Sequence, residues 1–220
     1  MTKIEWCDWT WNVITGCTRG CFYCYARRMA YRLRGRYGYP EDEPFTPTWH
    51  GDKLLRPLTF KKAKRIFVDS MGDFFDPDVP DLWRDLVFRV ILEAEKHTFL
   101  ILTKQSIPYE MEYEVPSNVW FGVSLDGKTT DTDWALEDLF NSYAPLRFVS
   151  FEPLLGPVSF DAELVDWVII GAQTGAGAVP PKKEWVKSII NTARDEGKPV
   201  FLKNNLNWPE KIQEWPEVSP

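Results

Sequence analysis

Seven short runs of apolar residues, rich in β-branched and aromatic side chains, punctuate the sequence. They are WNVIT (11–15), RIFVDS (65–70), TFLILT (98–103), VWFGVSL (119–125), RFVSF (147–151), WVIIGA (167–172) and PVFLK (199–203). Each stops at a polar or glycine-bearing turn, and each is apolar nearly throughout rather than alternating. Strands buried on both faces, as in a parallel sheet, read this way. Helical patterns lie between several of them: 25–36, 80–97, 132–143 and 182–197, the last ending at Gly197 as a C′ residue. Weaker helical patterns cover 105–116 and 154–166. The alternation of strand and helix predicts an α/β fold with a parallel sheet, either doubly wound or closed toward a barrel.

The chain has 220 residues, enough for one large domain or two small ones. Apolar residues make up 44% and charged residues 26%, ordinary values for a globular chain. With no apolar run of 18 residues and no apolar leader at the N-terminus, a cytoplasmic, membrane-free protein is expected. The stretch 37–59, rich in proline and charge, is longer than an ordinary connection and suggests a lid or binding loop.

In a parallel α/β fold, ligands bind on the loops that follow the carboxyl ends of the strands. After the first run the sequence is TGCTRGCFYCYA (15–26), placing Cys17, Cys21 and Cys24 within eight residues. The remaining cysteine is Cys7, and none occurs after Cys24. A disulfide framework spreads its cysteines over distant segments, so thiols crowded into one loop point instead to metal. Structural zinc wants four ligands, commonly in two Cys-x2-Cys pairs, whereas this loop holds one such pair. Three thiolates can hold three irons of a four-iron cluster and leave the fourth iron open.

The spacing Cys-x3-Cys-x-aromatic-Cys, with Tyr23 as the aromatic, resembles the signature of the radical S-adenosylmethionine (SAM) superfamily. Beyond the loop, IEWCDWTWNVITGC, FVDSMGDFFDP, VWFGVSL, RFVSFEPLLGP, WVIIGAQTG and VFLKNN resemble an uncharacterised, phage-associated family of radical-SAM-like proteins. The sequence departs from that pattern in a very short cysteine loop, in Cys7 where threonine is more usual, and in Asn204 in place of glutamine. The resemblance implies a partial, open (β/α)6 TIM-like barrel over residues 1–203, with 204–220 as a C-terminal tail. It implies a [4Fe-4S] cluster on Cys17, Cys21 and Cys24. The open iron would chelate SAM, and an electron delivered by a flavodoxin- or ferredoxin-type partner would cleave it to a 5′-deoxyadenosyl radical. Such a protein would be oxygen-sensitive.

The other strand ends supply candidate SAM contacts. Ser70 and Asp73 could accept from an ammonium, Lys104 could meet a carboxylate, and Ser124 would reach the ribose. Glu152 follows a buried run, an expensive place for an unpaired carboxylate. Gln173 lies in a glycine-rich turn that lacks the dinucleotide fingerprint, and Lys203 closes the series. Plain alternatives stand beside these: a turn that needs Gly72, a solvated Lys104. Cys7 reads as a small buried hydrophobe, a spare thiol, or a fourth zinc ligand. Trp6, Trp9 and Trp11 read as packing, His50 carries no motif, and His97 helps to end its helix.

Charge is uneven. Residues 1–65 hold 13 Lys and Arg against 6 Asp and Glu, and the remainder reverses the balance. RRMAYRLRGR and KKAKR carry much of the surplus, which suits a nucleic acid or nucleotide as partner or substrate. The rival class is a non-catalytic, zinc- or cluster-binding nucleic-acid module.

Overall fold

The computed structural model describes residues 2–108, 115–175 and 177–217. Among the described residues there are nine strands and four α-helices. The strands are β1 (Trp9–Trp11), β2 (Ile14–Thr15), β3 (Thr48–Trp49), β4 (Arg65–Val68), β5 (Thr98–Thr103), β6 (Val119–Ser124), β7 (Leu146–Phe151), β8 (Trp167–Ile170) and β9 (Val200–Leu202). The helices are α1 (Tyr25–Leu33), α2 (Asp81–Glu93), α3 (Thr132–Asn141) and α4 (Lys183–Asp195). Seven parallel strands run in the order β1-β4-β5-β6-β7-β8-β9, and β2 with β3 forms a separate antiparallel ladder. This is an α/β fold with a parallel sheet, as the run pattern predicts, and of the open, half-barrel class that the resemblance implied. The order follows the chain because each crossover returns the next strand to the adjacent position.

The chain divides into two compact units, residues 1–120 and 121–220, with the boundary inside β6. In the first unit, β1 pairs with β4 (Trp11↔Val68) and β4 with β5 (Val68↔Ile101). Its core is aromatic: Trp6 meets Phe67, Trp11 meets Phe99, and Phe74 meets Phe88 at ring centroids 4.6, 5.7 and 5.5 Å apart. Burying one such ring contributes about 1.5–3 kcal/mol. In the second unit, β7 pairs with β8 and β8 with β9. The segment after β9, expected as a tail, is packed. Leu202 N–H donates to Ile212 O (2.7 Å), Glu214 N–H to Val200 O (3.0 Å), and the Trp215 ring lies 4.7 Å from that of Trp167. An otherwise open strand edge is thereby covered.

Three local expectations differ from the structure. The run 11–15 is not one strand: β1 ends at Trp11, and β2 turns away to pair with β3 (Ile14↔Trp49, Thr15↔Thr48). That ladder ties down the 37–59 excursion, which also holds short 3-10 helices at Gly51–Lys53 and Arg56–Thr59. The weak helical pattern at 154–166 yields only a 3-10 turn at Ala162–Leu164. The middle of the pattern at 105–116 lies outside the described residues. Gly197, at φ +64°, follows α4 as expected of a C′ residue.

Candidate functional site

The cysteine loop leaves β2 through Gly16, whose φ of +95° belongs to the left-handed region. A Cβ there would lie 2.2 Å from Thr46 O, so nothing but glycine fits. Gly16 N–H donates to Met71 O (3.0 Å), Asp73 N–H to Gly16 O (3.3 Å), and Cys17 N–H to Phe45 O (2.9 Å). The entry to the loop is therefore clamped between the turn after β4 and the 37–59 segment.

Cys17, Cys21 and Cys24 are free thiols of intermediate exposure. Cys24 caps α1: its sulfur accepts the Arg27 N–H at 3.3 Å, and the Cys17 sulfur accepts the Arg19 N–H at 3.4 Å. Cys17, Cys24, Leu33 and Met71 pack against a small cluster of Ala26, Ala30, Tyr39 and Phe45. Burial raises the pKa of both Cys17 and Cys24, with Asp73 adding to the rise at Cys17. Among the described residues, no three His, Cys, Asp or Glu side chains are gathered closely enough to hold a metal. The loop offers sulfur donors of the right kind, but its three sulfurs are not drawn together in this arrangement. Three sulfurs share one loop, and two already accept the backbone N–H bonds that stabilise a sulfur ligand.

Around this loop the structure gathers the predicted residues of the first unit. Tyr23 is buried, and the Lys104 ammonium lies 5.7 Å from its ring centroid. Ser70 Oγ donates to Asn12 Oδ1 (3.1 Å), and its carbonyl accepts from the Tyr25 hydroxyl. Asp73 is buried and takes three bonds: from Thr103 Oγ1 (2.6 Å), Lys104 N (3.0 Å) and Phe75 N (3.1 Å). Its carboxylate ties the end of β5 to the turn after β4, and burial raises its pKa despite these donors.

Two carboxylates that the sequence reading passed over matter as much. Asp76, fully buried, accepts from Thr18 N (2.7 Å), Thr18 Oγ1 (2.9 Å) and Gln105 Nε2 (3.2 Å), and so anchors the loop just after Cys17. Asp69 accepts from Ile14 N at 2.9 Å, and its other oxygen is buried without a partner. Its φ of +55° is unusual for aspartate, and burial holds its pKa well above the ordinary value. FVDSMGDFFDP spaces these acids across a turn after a buried run; that spacing was the available signal.

His50 is buried, with Nε2 2.8 Å from Thr15 Oγ1, and burial pulls its pKa down to about 4. His97 does not merely end α2. It accepts the Lys64 N–H at Nδ1 (3.2 Å) and meets Pro57 O at Nε2 (3.0 Å), joining two segments.

Cys7 is buried, its thiol is 3.8 Å from Ile4 O, and burial pushes its pKa up to about 12. It cannot complete a set with the other three. Its neighbour Asp8 bonds Arg65 at the start of β4, whereas Gly16 bridges Gly72 beyond the end of β4. The four residues of β4, roughly 10 Å of extended chain, lie between those points.

The second unit places the other candidates at the ends of its own strands. Lys203 Nζ pairs with Glu152 Oε1, both side chains largely buried, at 11% and 24% exposure. Gly171 makes room for the pair, since a Cβ there would lie 2.9 Å from Lys203 Cδ and 3.2 Å from Glu152 Cδ. Ser124 Oγ donates to Glu152 O (3.1 Å). Gln173 follows Ala172, whose N–H and C=O are both held by the Asn205 amide at 3.1 and 2.9 Å. Asn205 was not singled out from sequence, although it adjoins the noted Asn204.

No helix among the described residues is long and apolar enough to cross a membrane. No curated protein and no solved structure matches the chain. Comparison with protein families found no radical SAM family, so the resemblance drawn from the cysteine signature does not carry superfamily membership with it. A local spacing of three cysteines is too short to define a lineage. One family profile spans residues 1–216, nearly the whole sequence, and the chain belongs to that family, described as "Protein of unknown function (DUF5131)".

Proposed function

We propose that the protein is an enzyme that carries a [4Fe-4S] cluster on Cys17, Cys21 and Cys24 and uses it on SAM. The observation that carries this reading is the thiol loop itself: three sulfurs at the carboxyl end of a parallel α/β unit, two of them accepting backbone N–H bonds. When bound, the cluster would supply one electron to the SAM sulfonium, yielding methionine and a 5′-deoxyadenosyl radical for hydrogen abstraction. Everything else falls to the chain. Gly16, Asp73 and Asp76 fix the loop, and the Ala26, Ala30, Tyr39 and Phe45 cluster shields its inner side from water. Tyr23 and Lys104 present an aromatic face and a cation beside it. In the second unit, Glu152 is a carboxylate suited to an ammonium or a ribose, and Lys203 holds it in place. Ser124 orients Glu152 through its carbonyl, and Gln173 stands next to a main chain fixed by Asn205.

The electron requires a reducing partner of the flavodoxin or ferredoxin type, and the thiols require a reducing, cytosolic compartment. A nucleic acid or nucleotide is the substrate class favoured by the basic N-terminal third. Four-cysteine zinc binding is not favoured, because Cys7 lies at the opposite end of β4 from the loop.

Anaerobic purification tests the reading. A brown protein with about four irons and four sulfides per chain, releasing 5′-deoxyadenosine from SAM after reduction, supports it. A colourless protein with one zinc refutes it. Four irons without SAM cleavage would leave a cluster-binding module that is not an enzyme.

A further inference from the structure

We infer that the outer face of α1 is a docking surface for single-stranded nucleic acid. Residues 9–40 contain six arginines and not one aspartate or glutamate. The structure puts most of that charge on one side. Ala26 and Ala30 turn inward, four residues apart, against Tyr39 and Phe45. Arg27 and Arg32 stand outward on the helix, and Arg34 follows its last turn, all exposed. Aromatic rings are interleaved with them: Phe22 is 70%, Tyr31 40% and Tyr37 76% exposed. The Arg34 guanidinium lies 5.3 Å from the centre of the Tyr31 ring. The first acids beyond the face are the exposed Glu41, Asp42 and Glu43, with the Glu41 carboxylate beside Gly35. They bound the face without interrupting it.

A row of guanidinium groups tracks phosphates, and exposed rings stack on bases. Stacking requires bases that are not already paired, so the surface selects a single strand over a duplex. A membrane is the poorer fit. The apolar stripe of this nine-residue helix, Ala26, Ala30 and Leu33, is turned inward against Tyr39 and Phe45 and so is not offered to a lipid surface. Cys24 caps the same helix, so a strand bound here would lie against the thiol loop. The surface itself requires no cluster; only its role as a substrate platform rests on the reading above.

Fluorescence anisotropy with a labelled, mixed-sequence 20-nucleotide DNA and its RNA counterpart tests this on the anaerobically purified chain. Binding should weaken with salt, with a log–log slope of about −0.7 per phosphate contact. The triple variant Arg27→Ala, Arg32→Ala, Arg34→Ala should lose tenfold or more in affinity, with the slope shallower by about 2. The matching triple Arg→Lys variant should keep the slope. Tyr31→Leu with Tyr37→Leu should lose about tenfold with the slope unchanged. Undiminished binding by the triple alanine variant overturns the inference. So does tighter binding of the duplex, or of phosphatidylserine vesicles. If Cys21→Ala loses its iron yet binds the strand normally, the docking surface stands on its own; a chain with full iron that binds no strand sinks the surface and leaves the cluster reading intact.

Discussion

In residues 2–120 the loops that follow the strands are held by buried carboxylates reaching far along the chain. Asp69 meets Ile14, Asp73 meets Thr103 and Lys104, and Asp76 meets Thr18 and Gln105. In residues 121–217 the buried Asp126 serves its own turn, accepting from Lys128 N at 2.8 Å and Thr129 N at 2.6 Å. The long-range ties there include the Asn205 amide, the Lys203–Glu152 ion pair, and two half-exposed carboxylates, Asp166 accepting from Arg147 N (2.8 Å) and Glu214 from Val200 N (2.9 Å). A buried carboxylate with several N–H donors fixes a loop rigidly, because losing any donor leaves charge stranded in low dielectric. The half-exposed carboxylates of Asp166 and Glu214 are weaker fasteners, because solvent screens their charge. The first unit fastens its loops with buried acids, the second with an amide, a largely buried ion pair and half-exposed acids.

The sharpest way to break this contrast is at the sulfurs. Cys17→Ala, Cys21→Ala and Cys24→Ala should each abolish iron retention in anaerobically purified protein, whereas Cys7→Ala keeps its iron. Next come the glycines. Gly16→Ala forces a side chain into a positive φ and onto the Thr46 carbonyl, and should cost about 3–4 kcal/mol in urea unfolding. Gly171→Ala meets only the flexible Lys203 and the Glu152 side chain, and should cost about 1 kcal/mol. Equal costs would erase the distinction between the two units.

Acid sensitivity follows from His50. Its folded pKa of about 4 lies below the ordinary 6.5, so the fold favours neutral imidazole. The stabilisation is complete above pH 6.5 and is lost as the pH falls through about 4, a change of about 3 kcal/mol. Denaturation at pH 7.5, 5.5 and 4.5 should show this, and His50→Gln should flatten it. The smallest effect is Glu152→Gln, which keeps the shape and removes the charge. Stability should fall by about 1 kcal/mol in urea unfolding.

Much of this was legible in the sequence. TFLILT became β5 without a residue's change, because four apolar residues flanked by two β-branched threonines between turns leave few alternatives. Cys17, Cys21 and Cys24 were evident because their spacing is local. WNVIT misled because it is continuous in sequence, while β2 leaves the β1 direction to pair with Thr48 and Trp49 of β3, far along the chain. The 37–59 segment looked irregular for the same reason: two-residue pairings have no periodicity to read. Asp76 was invisible as an anchor because its donors, Thr18 and Gln105, stand 58 and 29 residues away.

Composition and periodicity alone determined the α/β class, the helices and the presence of a thiol loop, since each depends on residues within a few positions of one another. Only the tertiary structure decided which acids are buried, that Cys7 stands apart from the other sulfurs, and that the arginines of α1 share one outer face. Those outcomes depend on which distant groups exclude water from a side chain, and no local pattern records that.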